Sequence, residues 1–143
     1  MEESLIHFKE ALKLQEVDAA TYSPLVLAYI GDAVYELIVR TKVVNRGSMQ
    51  VNKMHKKSSS LVKAETQANL IKLLDEELTD EERAAFKRGR NAKSVSVAKH
   101  ATMIDYRMAT GFEALVGYLY LSEQYDRLIT LISHGFEKIG ELS

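Results

Sequence analysis

The chain has 143 residues, 46% of them hydrophobic and 27% charged, with a formal net charge of −1. This describes one soluble globular domain, long enough to bury a core without covalent staples. Cysteine is absent, which excludes disulfides and thiolate metal sites and suits a reducing cytoplasm.

The amino terminus carries acids at Glu2 and Glu3, where a secretory leader needs bases, and no apolar core follows. A cytoplasmic location is therefore expected. No apolar run approaches the roughly 20 residues that cross a bilayer. Leu5, Phe8 and Leu12 stripe a first helix. Ser23-Pro24 reads as an N-cap followed by the first helical position. It launches a helix that runs to about Val44 and ends near Asn45-Arg46-Gly47. Leu27, Ile30, Val34, Leu37 and Ile38 lie on one side of it, while Val26, Tyr29 and Ala33 cover much of the rest. Such a helix is expected to be central.

Helix is again expected from about Val51 to Leu74, with a break near Ser58-Ser59-Ser60 and with Leu61, Ala64, Ala68, Ile71 and Leu74 facing inward. Six of the eight residues from Asp75 to Glu82 are acidic. Within them Thr79-Asp80-Glu81-Glu82 has the capping-box pattern, predicting a short helix that stops at Gly89. Gly89 to Ser94 reads as a loop or turn. A nearly uncharged helix is expected over about Ile104 to Ser122. A last, amphipathic one follows on Leu128, Leu131, Ile132, Phe136 and Ile139. One proline, seven glycines and no internal repeat or linker leave an all-α single domain spanning residues 1–143.

Two of these helices each carry a carboxylate inside an apolar run: Asp32 in Leu27 to Glu36, and Glu113 in Thr110 to Tyr118. A buried carboxylate is costly unless a cation or hydrogen-bond donors satisfy it. Oxygen ligands without a His or Cys cluster point to magnesium, with manganese as a substitute. Hydrogen bonding of both acids to Tyr, Ser or Thr in the core is the competing reading. From Arg83 to His100 the chain has six Lys and Arg residues and no acid, and His55-Lys56-Lys57 forms a second basic cluster. Such segments neutralise phosphates along a nucleic acid or simply form a solvated face. His7, His55, His100 and His134 show no paired metal-ligand spacing.

Tyr29-Ile30-Gly31-Asp32 resembles the signature helix of the ribonuclease III family, and Phe112-Glu113-Ala114-Leu115-Val116-Gly117 resembles its second metal-binding helix. The two stand in the family's order, about 80 residues apart. Met54 to Ser59 and Arg88 to Ser94 are similar to a shorter bacterial group within the family, the Mini-ribonuclease III proteins. The resemblance covers roughly residues 25–121. It implies the all-α helical bundle of the ribonuclease III endonuclease domain, without a separate double-stranded-RNA-binding domain. It also implies a homodimer whose two sites cut opposite strands of double-stranded RNA, with a role in maturing large-subunit (23S) ribosomal RNA precursors.

Carried over by position, Asp32 and Glu113 are the catalytic and magnesium-binding acids, and Tyr29 stands at the subunit interface. His55, Lys56, Lys57, Lys87, Arg88, Arg90, Asn91 and Lys93 become the RNA-binding candidates, since duplex RNA is recognised mainly through phosphates and shape. The chain departs from the broader family at Ala28 and Thr110, where two further acids are expected. That makes a fixed two-metal arrangement doubtful. Thr110 is a candidate for supporting a metal-bound water. The same losses keep open a non-enzymatic RNA-binding or ribosome-associated protein, and, ranked last, a helical protein-interaction module.

Overall fold

The computed structural model describes residues 2–47, 50–93 and 102–142, which form seven α-helices and no strand. These are α1 (Glu2–Ala11), α2 (Pro24–Asn45), α3 (Val51–Val62), α4 (Ala64–Leu74), α5 (Asp80–Asn91), α6 (Met103–Leu121) and α7 (Tyr125–Lys138). The expected all-α class is borne out.

Local chemistry sets the helix starts. The Ser23 hydroxyl accepts from the Val26 amide at 3.2 Å, and Pro24 needs no partner at the first position of α2. Thr79 and Glu82 form the full capping box of α5, each side chain accepting from the other's backbone amide. Thr102 caps α6 by accepting from Asp105 at 3.0 Å.

α6 is the axis of the molecule. Ala109 to Phe112, Ala114 to Gly117 and Leu119 are buried, so apolar positions surround the helix. α2 and α5 pack most extensively on it, with α4 and α7 completing the ring. Tyr35, Phe112 and Phe136 meet edge-to-face at the centre, with centroids 5.1 Å and 6.4 Å apart. The fully buried Tyr35 hydroxyl donates to the Leu61 carbonyl at 2.7 Å, tying α2 to the end of α3.

Several expectations need correction. The long third helix breaks at Lys63, which is extended (φ −64°, ψ 153°), rather than at the serines. Tyr35 and Gln67 take up the carbonyls of Leu61 and Val62 at that break. Gly89 does not stop α5 but lies inside it. The missing side chain lets α5 touch α6, since a Cβ there would stand 2.6 Å from the Ala114 Cβ and 2.9 Å from the Gly111 Cα. The stripe of α1 is largely uncovered, with Phe8 and Leu12 exposed. α2 is not surrounded either: Val26, Tyr29, Leu37 and Val44 form an exposed apolar row along it.

Candidate active site

The close approach of α2 and α6 creates the site. A Cβ on Gly31 would overlap the Glu113 carbonyl oxygen, and a Cβ on Gly117 would overlap the Leu27 carbonyl oxygen. Leu27 and Gly31 on α2, one turn apart, therefore interlock with Glu113 and Gly117 on α6. Asp32, the next residue along α2, is brought against the Glu113 side chain.

The two acids meet, as expected, but not in the environment expected of both. Asp32 is exposed and Glu113 half-buried. Asp32 follows Gly31, which faces α6, and one residue along a helix turns about 100° away from that contact toward solvent. Burial first, then a shared hydrogen bond and the charge of Asp32, push the Glu113 carboxyl up to about 8, against a smaller opposing pull from the Gln67 amide. Two carboxylates that crowd each other in this way match the needs of a cation.

The donor set fits magnesium. It is all oxygen, and half of it faces solvent. Magnesium characteristically takes one or two carboxylates and keeps several waters. Asp32 and Glu113 would hold it directly.

Ala28 is buried against Leu27 and Ala114, with no polar group to offer. Thr110 is buried, and its hydroxyl donates to the Tyr106 carbonyl one turn back at 3.0 Å. That hydroxyl keeps only its acceptor capacity for a further partner.

Sequence reasoning missed Gln67. It sits on the inward face of α4 among Ala68, Leu70, Ile71 and Leu74, and its Nε2 reaches to 3.5 Å from Glu113 Oε2. The signal was present: a polar amide on an apolar stripe, next to a helix break.

The RNA-binding candidates divide by how far their charge is already engaged. Lys57 pairs with Glu141 at 2.8 Å. Arg88 donates to the carbonyls of Ala20 at 3.1 Å and Tyr22 at 2.7 Å, clasping the segment before α2. Arg90 lies over the Phe86 ring and donates to Asn91 at 3.1 Å. His55, Lys56, Lys87, Asn91 and Lys93 are exposed. Arg83 belongs to the acidic patch instead, bonding the Asp75 carboxylate and carbonyl at 2.6 Å. Ser94, Lys99 and His100 lie outside the described residues. Tyr29 is 82% exposed, so it is not a core tyrosine of one chain.

A model of the ribonuclease III domain matches residues 25–124. A Mini-ribonuclease 3 of Clostridium tetani is 51% identical over 112 residues, covering 78% of this chain and 74% of that protein. Another, from Thermoanaerobacter sp., is 43% identical over 142 residues, covering 99% and 100%. The crystal structure of a Fusobacterium nucleatum protein, 29% identical, superposes with a TM-score of 0.78 over 89% of this chain and 100% of that one.

The fold, the matched domain and these relatives define an endoribonuclease of the ribonuclease III type, directed at double-stranded RNA. The chain belongs to the Mini-ribonuclease 3 group of the ribonuclease III family.

Proposed function

We propose that this endoribonuclease depends on magnesium held by Asp32 and Glu113, works as a cytoplasmic homodimer, and matures precursors of large-subunit (23S) ribosomal RNA. The observation that carries the metal reading is the Asp32–Glu113 contact, with the Glu113 carboxyl raised to about 8. The cation, when bound, supplies an activated water and neutralises charge that develops on the scissile phosphate. Asp32 and Glu113 fix its position from two helices that cannot slide past each other. Exposed Lys56 lies on α3, Lys87 on α5 and Lys93 just past its end, where they would contact phosphates and hold the duplex.

The exposed row on α2 supports the homodimer. Val26, Tyr29, Leu37 and Val44 are apolar or aromatic positions at helical spacing, and a shallow groove beside them is lined by Leu37, Arg40, Thr41, Val44 and Asn45. A second copy of α2 would cover both and set two sites on one duplex. Cleavage of both strands in one encounter follows. The ribosomal substrate rests on the resemblance of Met54 to Ser59 and Arg88 to Ser94 to the Mini-ribonuclease III pattern.

Purified protein incubated with a 23S precursor stem and with an unrelated duplex tests the reading, each with magnesium and with chelator. Cleavage of the precursor in magnesium alone, abolished in Asp32→Asn, is expected. Metal-independent cleavage, or undiminished cleavage by Asp32→Asn, defeats the proposed site. Equal cutting of both duplexes removes the ribosomal preference. Membership in a ribonuclease group decides against the non-enzymatic alternative.

A further inference from the structure

Gln67 is 2% exposed, near the start of a helix whose other inward residues are aliphatic. Its Nε2 donates to the Val62 carbonyl at 2.7 Å and stands 3.5 Å from Glu113 Oε2. The Val62 carbonyl can only accept, so the amide is held one way round: turned over, it would set Oε1 against that oxygen. Oε1 is buried and has no hydrogen-bond partner among the described residues.

Capping the Val62 carbonyl accounts for only half of this side chain. That task needs a donor and nothing else, whereas an amide brings an acceptor as well, and a buried acceptor left unpaired is unfavourable. The missing group is a donor, and the other end of the same amide stands 3.5 Å from Glu113. Waters in a magnesium hydration shell have their oxygens turned to the metal and only donate outward, and magnesium keeps several of them.

We infer that Gln67 is a positioning residue for the cation: Nε2 steadies the Glu113 carboxylate, and Oε1 accepts from a water of the bound ion. This rests on the magnesium site proposed above. Partners that orient metal ligands from behind change metal affinity by about 10-fold to 100-fold when lost.

The test is a titration of the full, metal-free chain with magnesium alone, read by calorimetry and by the rise in Tm that the ion causes. Gln67→Met keeps length and packing but removes both polar arms. It is expected to weaken magnesium binding about 10-fold. Gln67→Glu keeps an acceptor and adds a charge. It is expected to lower the Tm of the metal-free protein and to show a larger magnesium-induced rise than wild type. If Gln67→Met does not fold, Gln67→Glu decides alone, since a purely structural cap predicts a lower starting Tm with an unchanged magnesium-induced rise. Wild-type magnesium affinity in Gln67→Met, or an unchanged rise in Gln67→Glu, overturns the inference while leaving the site intact. Asp32→Asn separates the two readings: if it binds magnesium as well as wild type, the carboxylate site fails and the role of Gln67 fails with it.

Discussion

Gly31 lies directly against the backbone of Glu113, with no room for a side chain between α2 and α6. The contact fixes where Asp32 meets Glu113, so the crossing of two helices and the assembly of a site are one packing event. Gly31→Ala would push the helices apart. The substitution gains up to about 1 kcal/mol of helix propensity but inserts a methyl group where backbone atoms already touch, and overpacking typically costs about 1–3 kcal/mol or more. The expected outcome is a lower Tm in thermal melts and a loss of magnesium-dependent cleavage larger than the stability loss explains. Gly47→Ala is the comparison at a glycine with open space around it, although φ is +107° there and strain of its own is expected.

The pH dependence of the metal-free protein follows from Glu113. Its folded carboxyl titrates near 8 against an ordinary value of 4.5, so between those values the folded state holds a proton that the unfolded state has lost. Stability from this group is complete below 4.5 and declines as pH rises through 8. Melts in chelator should therefore show Tm falling from pH 6 to pH 9, and saturating magnesium should restore a few degrees at pH 9. Asp32→Asn removes the neighbouring charge, so its decline with pH should be shallower. Glu113→Gln removes the titrating group itself, and a decline that persists in it would assign the effect to other groups.

Much of this site was legible in the sequence because its elements are local. The caps at Ser23 and Thr79 are set by neighbours within three residues, and the apolar runs around Asp32 and Glu113 mark their helices as packed. Exposure was harder to read. Asp32 and Gly31 are adjacent, yet one faces solvent and the other the partner helix, and only the crossing geometry determines which. Gln67 escaped notice because its contacts, Val62 and Glu113, come from a helix break and from a distant helix. Gly89 was misread for a similar reason: a glycine near a helix end resembles a stop until the helix beside it is known.

Glu82 and Arg127 form the most enclosed ion pair described in this fold. Glu82 is 2% exposed; Arg127 Nε donates to its Oε2 at 2.8 Å and Nη2 to its Oε1 at 2.9 Å, while Nη2 also bonds the Glu77 carbonyl at 2.6 Å. Burial pushes the Glu82 carboxyl up, but the guanidinium and the Thr79 amide outweigh it and leave the group below its ordinary value. The stability it contributes is present above pH 4.5 and is lost as pH falls through the lower folded value. Arg127→Ala strands the carboxylate and should destabilise by about 3 kcal/mol, the usual consequence of breaking a buried pair. Urea denaturation at pH 7 measures it, and a loss under 1 kcal/mol would contradict the assignment.

The α2 row yields the assembly prediction. An 82% exposed tyrosine in line with exposed Val26, Leu37 and Val44 leaves a stripe of apolar surface in water, at roughly 25 cal/mol for each Å² that a partner would cover. Covering it with the same row of a second chain is symmetric, so any charge placed there appears twice in one contact. Leu37→Glu should therefore dissociate the proposed dimer while leaving each chain folded, because Leu37 is exposed in the single chain. Tyr29→Ala should weaken association by about 2 kcal/mol or more if it anchors the contact, as buried aromatic anchors do. Sedimentation equilibrium across a concentration series reads both. With dissociation, double-strand cuts in a long duplex should give way to single-strand nicks, since each free protomer has one Asp32–Glu113 pair. A dimer of unchanged affinity in Leu37→Glu would move the interface elsewhere on the molecule.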